Sequence, residues 1–190
     1  MDNGYFDLLY SQRVLPSTRK VLLQRLEKGP AYQPRAIRPH LYAILQAALR
    51  RLIPQNDRAE PIDIAASLDK QHFVGQGNGW RYAGMPADKE ALELGLELLE
   101  QDARRRYAEA FVLLSPDRQD LLLSEVQSGD VRWSALESNR WFEEIVRDAT
   151  SIFVSHPETL AEIGFSGIAI QPGWERVGLN EAEAWEPQAR

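Results

Sequence analysis

The sequence predicts an all-α protein, an irregular bundle of about six helices with long loops and extended N- and C-terminal arms. Apolar residues recur at steps of three and four over several long segments, which is the spacing of an amphipathic helix. Prolines precede these segments and glycines or prolines follow them, as is typical of helix ends. The alternating pattern of a strand occurs only in the short "FSGIAI" of residues 165–170.

The N-terminal part, residues 1–38, is predicted to be an arm and a linker. Its first fifteen residues are apolar without a helical period, which we interpret as a docking arm. Ser17 has the character of an N-cap, and it predicts a short helix that Gly29 and Pro30 end. The three prolines of "GPAYQPRAIRP" then predict an extended linker.

Residues 39–190 are predicted to form a single helical domain. Pro39 opens a helix that Pro54 closes, and Pro61 opens the next, before the glycine-rich loop "GQGNGWRYAGMP". Leucines and aromatics then repeat from Leu92 to Leu114, which predicts one helix of roughly 25 residues. The carboxylates of Glu93, Glu97 and Glu100 are predicted to line its solvated face.

Three further helices are predicted after this long one. The first begins at Ser115 and Pro116 and ends at Gly129. A capping box of Ser134 and Glu137 predicts the start of the second. An apolar stripe should run along it, formed by Phe142, Val146, Ala149 and Phe153 with Trp141 and Ile145 beside them. His156 and Pro157 separate this helix from a last short one.

Composition excludes several classes of function. The net charge of −6 and the scattered basic residues argue against nucleic acid as a partner. The absence of cysteine excludes disulfides and thiolate metal sites. His40, His72 and His156 lack the spacing of metal ligands, and no strand precedes the "GQGNGW" loop as a phosphate site requires. We therefore predict no catalytic residue, cofactor or metal in this chain.

No segment has the pattern of a signal peptide, of a twin-arginine signal, or of the roughly 20 apolar residues that span a bilayer. We expect a cytoplasmic protein without a direct membrane span, which reaches the periplasm only if a partner carries it.

Five motifs, in order, resemble those of the gluconate 2-dehydrogenase subunit 3 family. They are "AILQAALRRLIP", the glycine-rich loop, "AFVLLSPDRQDLLLSEVQSGD", "WFEEIVRDATSIFVSHPE" and "GWERVGL". The resemblance covers about residues 40–180 and is strongest over 107–178. Two features depart from it: the twin-arginine signal of many relatives is absent, and "AEIGFSGIAIQP" is shorter and more apolar than the corresponding stretch in relatives. The second departure points to a subfamily that serves a soluble dehydrogenase of sugars or glycosides.

The resemblance implies a non-catalytic, chaperone-like small subunit of a sugar, glycoside or alcohol dehydrogenase. Its partner would be a flavoprotein of the glucose–methanol–choline (GMC) oxidoreductase type, which holds FAD, in a heterodimer or larger complex. A cytochrome c subunit sometimes completes such complexes. Aromatic residues in loops are typical of interfaces, although they also fill the ends of helical bundles. The predicted interface consists of Tyr5, Phe6, Tyr10, Trp80, Tyr82, Trp133, His156, Trp174, Arg176 and Trp185.

Two other functions remain open at this stage. A free-standing small-molecule-binding or regulatory module would have an internal pocket lined by Trp141, Phe111 and their neighbours. A cofactor-independent enzyme would use His156 together with a carboxylate.

Overall fold

A computed structural model of the chain describes residues 4–27, 31–76, 84–165 and 178–179. Across these ranges it contains eight α-helices, one 3₁₀ helix and no strand, which confirms the all-α class. The contacts group the chain into two compact units. The terminal unit combines Met1–Pro30 with Val154–Arg190, and the helical unit is Ala31–Phe153. The predicted division at residues 38 and 39 stays a prediction.

The helical unit is built around α3 (Pro39–Leu52), which contacts three other helices and the 3₁₀ turn. Half of α3 is buried, because its apolar residues cover a wide face of the helix. The elements that follow it in the chain are α4 (Ile64–Phe73), α5 (Asp88–Tyr107), the 3₁₀ turn (Phe111–Leu113), α6 (Pro116–Ser128) and α7 (Ser138–Val154).

Two helices that begin with proline, α3 and α6, start where the sequence predicts. Pro39 and Pro116 each occupy the first turn of a helix, where the missing N–H costs nothing. Gly129 ends α6 with φ 78°, a left-handed conformation that glycine adopts without strain. The predicted bounds of α3 and α6 are therefore confirmed.

The predicted long helix is shorter than expected. It ends at Tyr107 because Ala108 turns to φ 56°, so the extension to Leu114 was wrong. The chain then forms the 3₁₀ turn, whose Phe111 N–H donates to Glu100 Oε2 at 2.8 Å. Gln119 Nε2 donates to the Phe111 carbonyl at 2.9 Å, so α6 holds the other side of the same residue. These two side-chain hydrogen bonds satisfy the backbone N–H and the carbonyl of Phe111, which lies beyond the end of α5.

Three predicted helix starts are displaced. The helix assigned to Ser17 begins at Pro16, and the one assigned to the box of Ser134 and Glu137 begins at Ser138. The helix assigned to Pro61 is α4, which begins at Ile64, because the Asp63 carboxylate accepts the N–H of Ala66 at 2.9 Å and caps the helix there. Residue 62 stays outside the helix because the Gln55 side-chain amide both accepts from its N–H and donates to its carbonyl.

Helix α7 packs closely against α5. Its buried stripe is Trp141, Ile145, Ala149 and Ile152, so the predicted stripe is displaced by about one position. The indole of Trp141 lies directly on Gly95 of α5, where an added Cβ would be 2.1 Å from Nε1. Only glycine allows this approach of ring and backbone.

The linker between residues 31 and 38 is held by one buried carboxylate. Asp69 of α4 accepts backbone N–H groups of Arg35, Ala36 and Ile37 at 2.7–3.3 Å and the Tyr32 hydroxyl at 2.6 Å. Burial raises the pKa of Asp69, but the hydrogen bonds from Arg35, Tyr32, Ile37 and Ala36 outweigh it and hold that pKa below its usual range. The linker therefore follows a fixed path across α4.

Within the described residues, the terminal unit contains three short helices, α1 (Gly4–Tyr10), α2 (Pro16–Leu26) and α8 (Pro157–Glu162). Both α1 and α2 contact α8. Within the described residues its apolar core consists of Tyr5, Leu9 and Val14, with partly buried leucines around them. The first fifteen residues therefore include a helix, which the sequence analysis did not predict because seven residues are too few to show a helical period.

Candidate partner-binding surface

Half of the predicted interface residues can be located. Tyr5, Phe6 and Tyr10 lie on α1, Trp133 lies before α7, and His156 lies at the start of α8. The other five predicted residues fall outside the described residues. They are Trp80, Tyr82, Trp174, Arg176 and Trp185.

The aromatic residues of α1 have three different environments. Tyr5 is 4% exposed and belongs to the core of its unit, and burial raises the pKa of its hydroxyl. Phe6 is partly buried and meets the Tyr5 ring edge-on at 5.7 Å. Tyr10 is 62% exposed. Of these three rings, Tyr10 presents the most area to another molecule.

The turn between α1 and α2 is held by Arg19. Its guanidinium donates to the carbonyls of Leu9 at 2.9 Å, Val14 at 3.1 Å and Ser11. These carbonyls belong to the end of α1 and to the turn, where helical partners are lacking. Arg19 therefore fixes the two helices as a hairpin, residues 4–27, which we call the N-terminal hairpin.

His156 joins this hairpin to α8. Its Nδ1 accepts the N–H of Glu158 at 3.4 Å, so Nε2 carries the proton and donates to the Arg25 carbonyl at 2.9 Å. The Arg25 guanidinium returns a bond to the Ser155 carbonyl at 2.7 Å. His156 therefore caps α8 and connects it to α2.

Trp133 is part of the helical unit's own packing. Its indole N–H donates to Asp102 at 2.8 Å, and its ring meets Trp141 edge-on at 5.5 Å. Asp102 is buried and also accepts from Arg105. This geometry fits the bundle-end role that the sequence analysis kept open for such rings, while partner contact by Trp133 stays a prediction.

The glutamates of α5 are not simply solvated. Glu93 accepts the N–H of Arg38 at 2.9 Å, and the Arg38 guanidinium pairs with Glu93 and Glu97. Glu100 bonds to Phe111 and Arg104. The expectation of a solvated face is corrected, because these carboxylates hold the start of α3 and the 3₁₀ turn against α5.

A small cleft lies between α4, α5 and α7. Trp141, Leu68 and Leu92 line it together with His72, whereas Phe111 does not. Burial lowers the pKa of His72, although Asp148 and Asp88 oppose this effect. The cavity volume of this cleft is about 30 Å³, which suits one or two water molecules rather than a metabolite. This cleft is therefore too small to be the internal pocket that a small-molecule module requires.

The N-terminal hairpin exposes apolar side chains that the sequence analysis did not single out. Leu15 is 46% exposed and Val21 is 50% exposed, close in sequence to Tyr10. On α2 the more buried leucines, Leu22 and Leu23, face the unit's own core. Val21 lies on the opposite, solvent-facing side of α2. A helical wheel of residues 16–26 could have identified it as an apolar residue outside the buried face of the helix.

The ranges that the structure describes show neither a metal-binding cluster nor a membrane-spanning helix. They hold no group of three or more His, Cys, Asp and Glu side chains that could bind a metal ion. None of the helices there is both long enough and apolar enough to cross a bilayer.

These observations define an all-α protein whose buried polar side chains mainly hold its own elements together. The sequence profile of the family Gluconate 2-dehydrogenase subunit 3 matches residues 39–175, which is most of the chain. The chain belongs to this family, so the resemblance inferred from its motifs is confirmed. Membership places it among the subunits of a dehydrogenase complex. Comparisons with curated proteins and with solved structures gave no match.

Proposed function

We propose that this chain is the non-catalytic small subunit of an FAD-dependent sugar, glycoside or alcohol dehydrogenase. It binds the GMC-type flavoprotein that carries the catalytic residues, helps it fold and keeps it in its active form. The observation that carries the proposal is the family match over residues 39–175. The FAD is bound by the partner. A cytochrome c is a further subunit in complexes that pass their electrons to a cytochrome.

The arrangement of polar groups supports a structural role. Asp69, Asp102 and His156 are buried or half-buried titratable groups, and each has hydrogen-bond partners within its own unit. Asp69 holds a linker, Asp102 holds an indole, and His156 caps a helix. Groups engaged in this way stabilise the fold.

Co-expression with the flavoprotein tests the proposal. We expect the two chains to elute together with the absorbance of bound flavin, and the flavoprotein alone to be less soluble or less active. The variant His156→Ala should assemble into a complex that still turns over, whereas the cofactor-independent enzyme hypothesis requires it to be inactive. Oxidation of a sugar by the isolated chain, or separate elution of the two chains, would contradict the proposal.

A further inference from the structure

The N-terminal hairpin carries three of the large apolar side chains that are exposed in the described chain. Tyr10, Leu15 and Val21 fall within twelve consecutive residues, and each exposes close to half of its surface or more. The same unit buries only three apolar side chains of the hairpin in its core, as far as the structure describes it. A unit this small gains little stability from so few buried residues. Exposed apolar area at such a site is typical of a surface that a partner covers.

The charge of the hairpin is opposite to that of the chain. Residues 4–27 contain four basic and two acidic side chains, although the whole chain has a net charge of −6. Arg13 and Lys20 are exposed and lie between the three apolar residues in sequence. The hairpin therefore exposes both apolar and basic side chains, and a complementary partner surface would have apolar area together with carboxylates.

The hairpin lies outside the part of the chain that the family shares. The family match begins at residue 39, twelve residues after the hairpin ends. Arg19 fixes its turn, and the bonds between Arg25, Ser155 and His156 hold α2 against the start of α8. These bonds define one arrangement of the hairpin against α8 within the terminal unit.

We propose that the N-terminal hairpin docks onto an apolar, carboxylate-bordered surface of the flavoprotein subunit, through Tyr10, Leu15 and Val21 with Arg13 and Lys20 at the rim. This inference rests on the proposed function, from which it takes the identity of the partner. A symmetric dimer of hairpins would bring like charges together, since a twofold interface pairs a patch with itself. Insertion into an anionic membrane would need the leucine face of α2, which packs inside the unit.

Two pairs of substitutions in the full chain test the docking surface. Tyr10→Ser with Val21→Ser removes apolar area, and Arg13→Glu with Lys20→Glu reverses the rim charge. Leu113→Ser with Leu121→Ser is the matched control, because these leucines of the helical unit are 67% and 51% exposed. All six side chains are exposed, so circular dichroism should show unchanged helix content. The measurement is binding of each purified variant to the immobilised flavoprotein subunit at low and high salt.

We expect both hairpin variants to raise the Kd by about tenfold or more and the control to change it less than about twofold. The charge-reversed variant should also lose most of the salt dependence of binding. Equal binding by the wild type and both hairpin variants would overturn this inference and leave the proposed function intact. Failure of the wild type to bind would overturn both.

If a second copy of this chain or a membrane covers the hairpin instead, the experiments give different results. Concentration-dependent dimerisation of the wild type that the hairpin variants abolish would identify a second copy as the occupant. Sedimentation with vesicles of anionic phospholipid, lost on charge reversal, would identify a membrane. Either result, with flavoprotein binding unchanged in the variants, overturns the inference.

Discussion

At the residue scale, Asp69 is the buried charge on which the path of the linker depends. It is 0% exposed and its two oxygens satisfy three backbone N–H groups and one hydroxyl. Asp69→Asn removes the charge and replaces one accepting oxygen with an NH₂ group. This NH₂ donor would face the N–H and O–H donors that the carboxylate accepts. We expect a loss of about 2–3 kcal/mol in the free energy of unfolding, measured by urea denaturation at neutral pH. Asp57→Asn, at an exposed turn, is the control and should change it little.

The pH dependence of the same site has a defined sign. Because the folded pKa of Asp69 is held below its unfolded value of about 4, its contribution is present above that pH and is lost as pH falls through the folded pKa. The stability difference between the wild type and Asp69→Asn should therefore shrink as pH falls below about 4. A difference that stays constant between neutral and strongly acidic pH would refute this assignment.

Gly95 provides a second prediction because two effects of opposite sign meet there. In the middle of a helix, Gly→Ala normally stabilises by about 1 kcal/mol. Here the new Cβ would lie 2.1 Å from the indole of Trp141, which is buried and cannot swing away. We expect Gly95→Ala to destabilise by about 2–3 kcal/mol in thermal unfolding. Gly4→Ala, with nothing within 4 Å of its added Cβ, is the control.

Sequence patterns predicted residue roles only where the role follows from local spacing. Trp133 could be marked as an aromatic of interest, but its partner Asp102 lies 31 residues away along the chain. Asp69 gave a usable signal that was missed: it follows Ala65 and Leu68 on the buried face of α4, where a charged residue requires a partner.

At the element scale, helix ends with a covalent cause were predictable and helix ends with a tertiary cause were not. Proline starts α3 and α6, and both starts were predicted correctly. The end of α5 depends on Glu100 and Gln119 binding Phe111, which no local pattern indicates. The start of α7 was misplaced for the same reason, since Ser138 bonds to the carbonyl of Val131, whereas the Asp63 cap that starts α4 is a local signal that was overlooked.

The left-handed end of α5 predicts a stabilising substitution. Ala108 has φ 56°, a conformation that costs a residue with a Cβ about 1 kcal/mol relative to glycine. We expect Ala108→Gly to raise the melting temperature by a few degrees, since about 1 kcal/mol moves Tm by roughly 2–4 °C at this chain length. Ala43→Gly, at an exposed position inside α3, should lower it. A fall in Tm for Ala108→Gly would contradict the cap geometry.

The connection of α8 depends on His156. His156→Ala removes the acceptor for the Glu158 N–H and the donor for the Arg25 carbonyl. We expect the free energy that protects the α8 amides from hydrogen exchange to fall by about 1 kcal/mol or more. The amides of α3 should keep their protection, and His40→Ala, at an exposed position of α3, should leave α8 unchanged.

At the scale of the whole molecule, the fold class and the family could be predicted from the sequence and the two-unit organisation could not. Helical periods and the order of five motifs are local properties of the chain. The terminal unit instead pairs the first helices with α8, and the bond between Arg25 and Ser155 spans 130 residues. Contacts at that separation leave no periodic trace in a single sequence.

The two units should differ in their own stability. The helical unit has a large apolar core, whereas the described terminal unit buries three apolar side chains around Leu9. Because hydrophobic stabilisation grows with buried area, we expect the terminal unit to exchange its amides at lower urea concentration than the helical unit. Hydrogen exchange across a urea series of the isolated chain measures this order.

Addition of the flavoprotein subunit to the same experiment connects stability with function. A partner that binds the folded hairpin stabilises it by mass action, and protection of α1, α2 and α8 should rise with partner concentration. Protection of α3 and α5 should rise less, because the proposed contacts lie on the hairpin. The variant with Arg13→Glu and Lys20→Glu should keep the exchange pattern of the isolated chain and lose the increase. Protection that rises in α3 and α5 but not in the hairpin would place the contact on the helical unit instead.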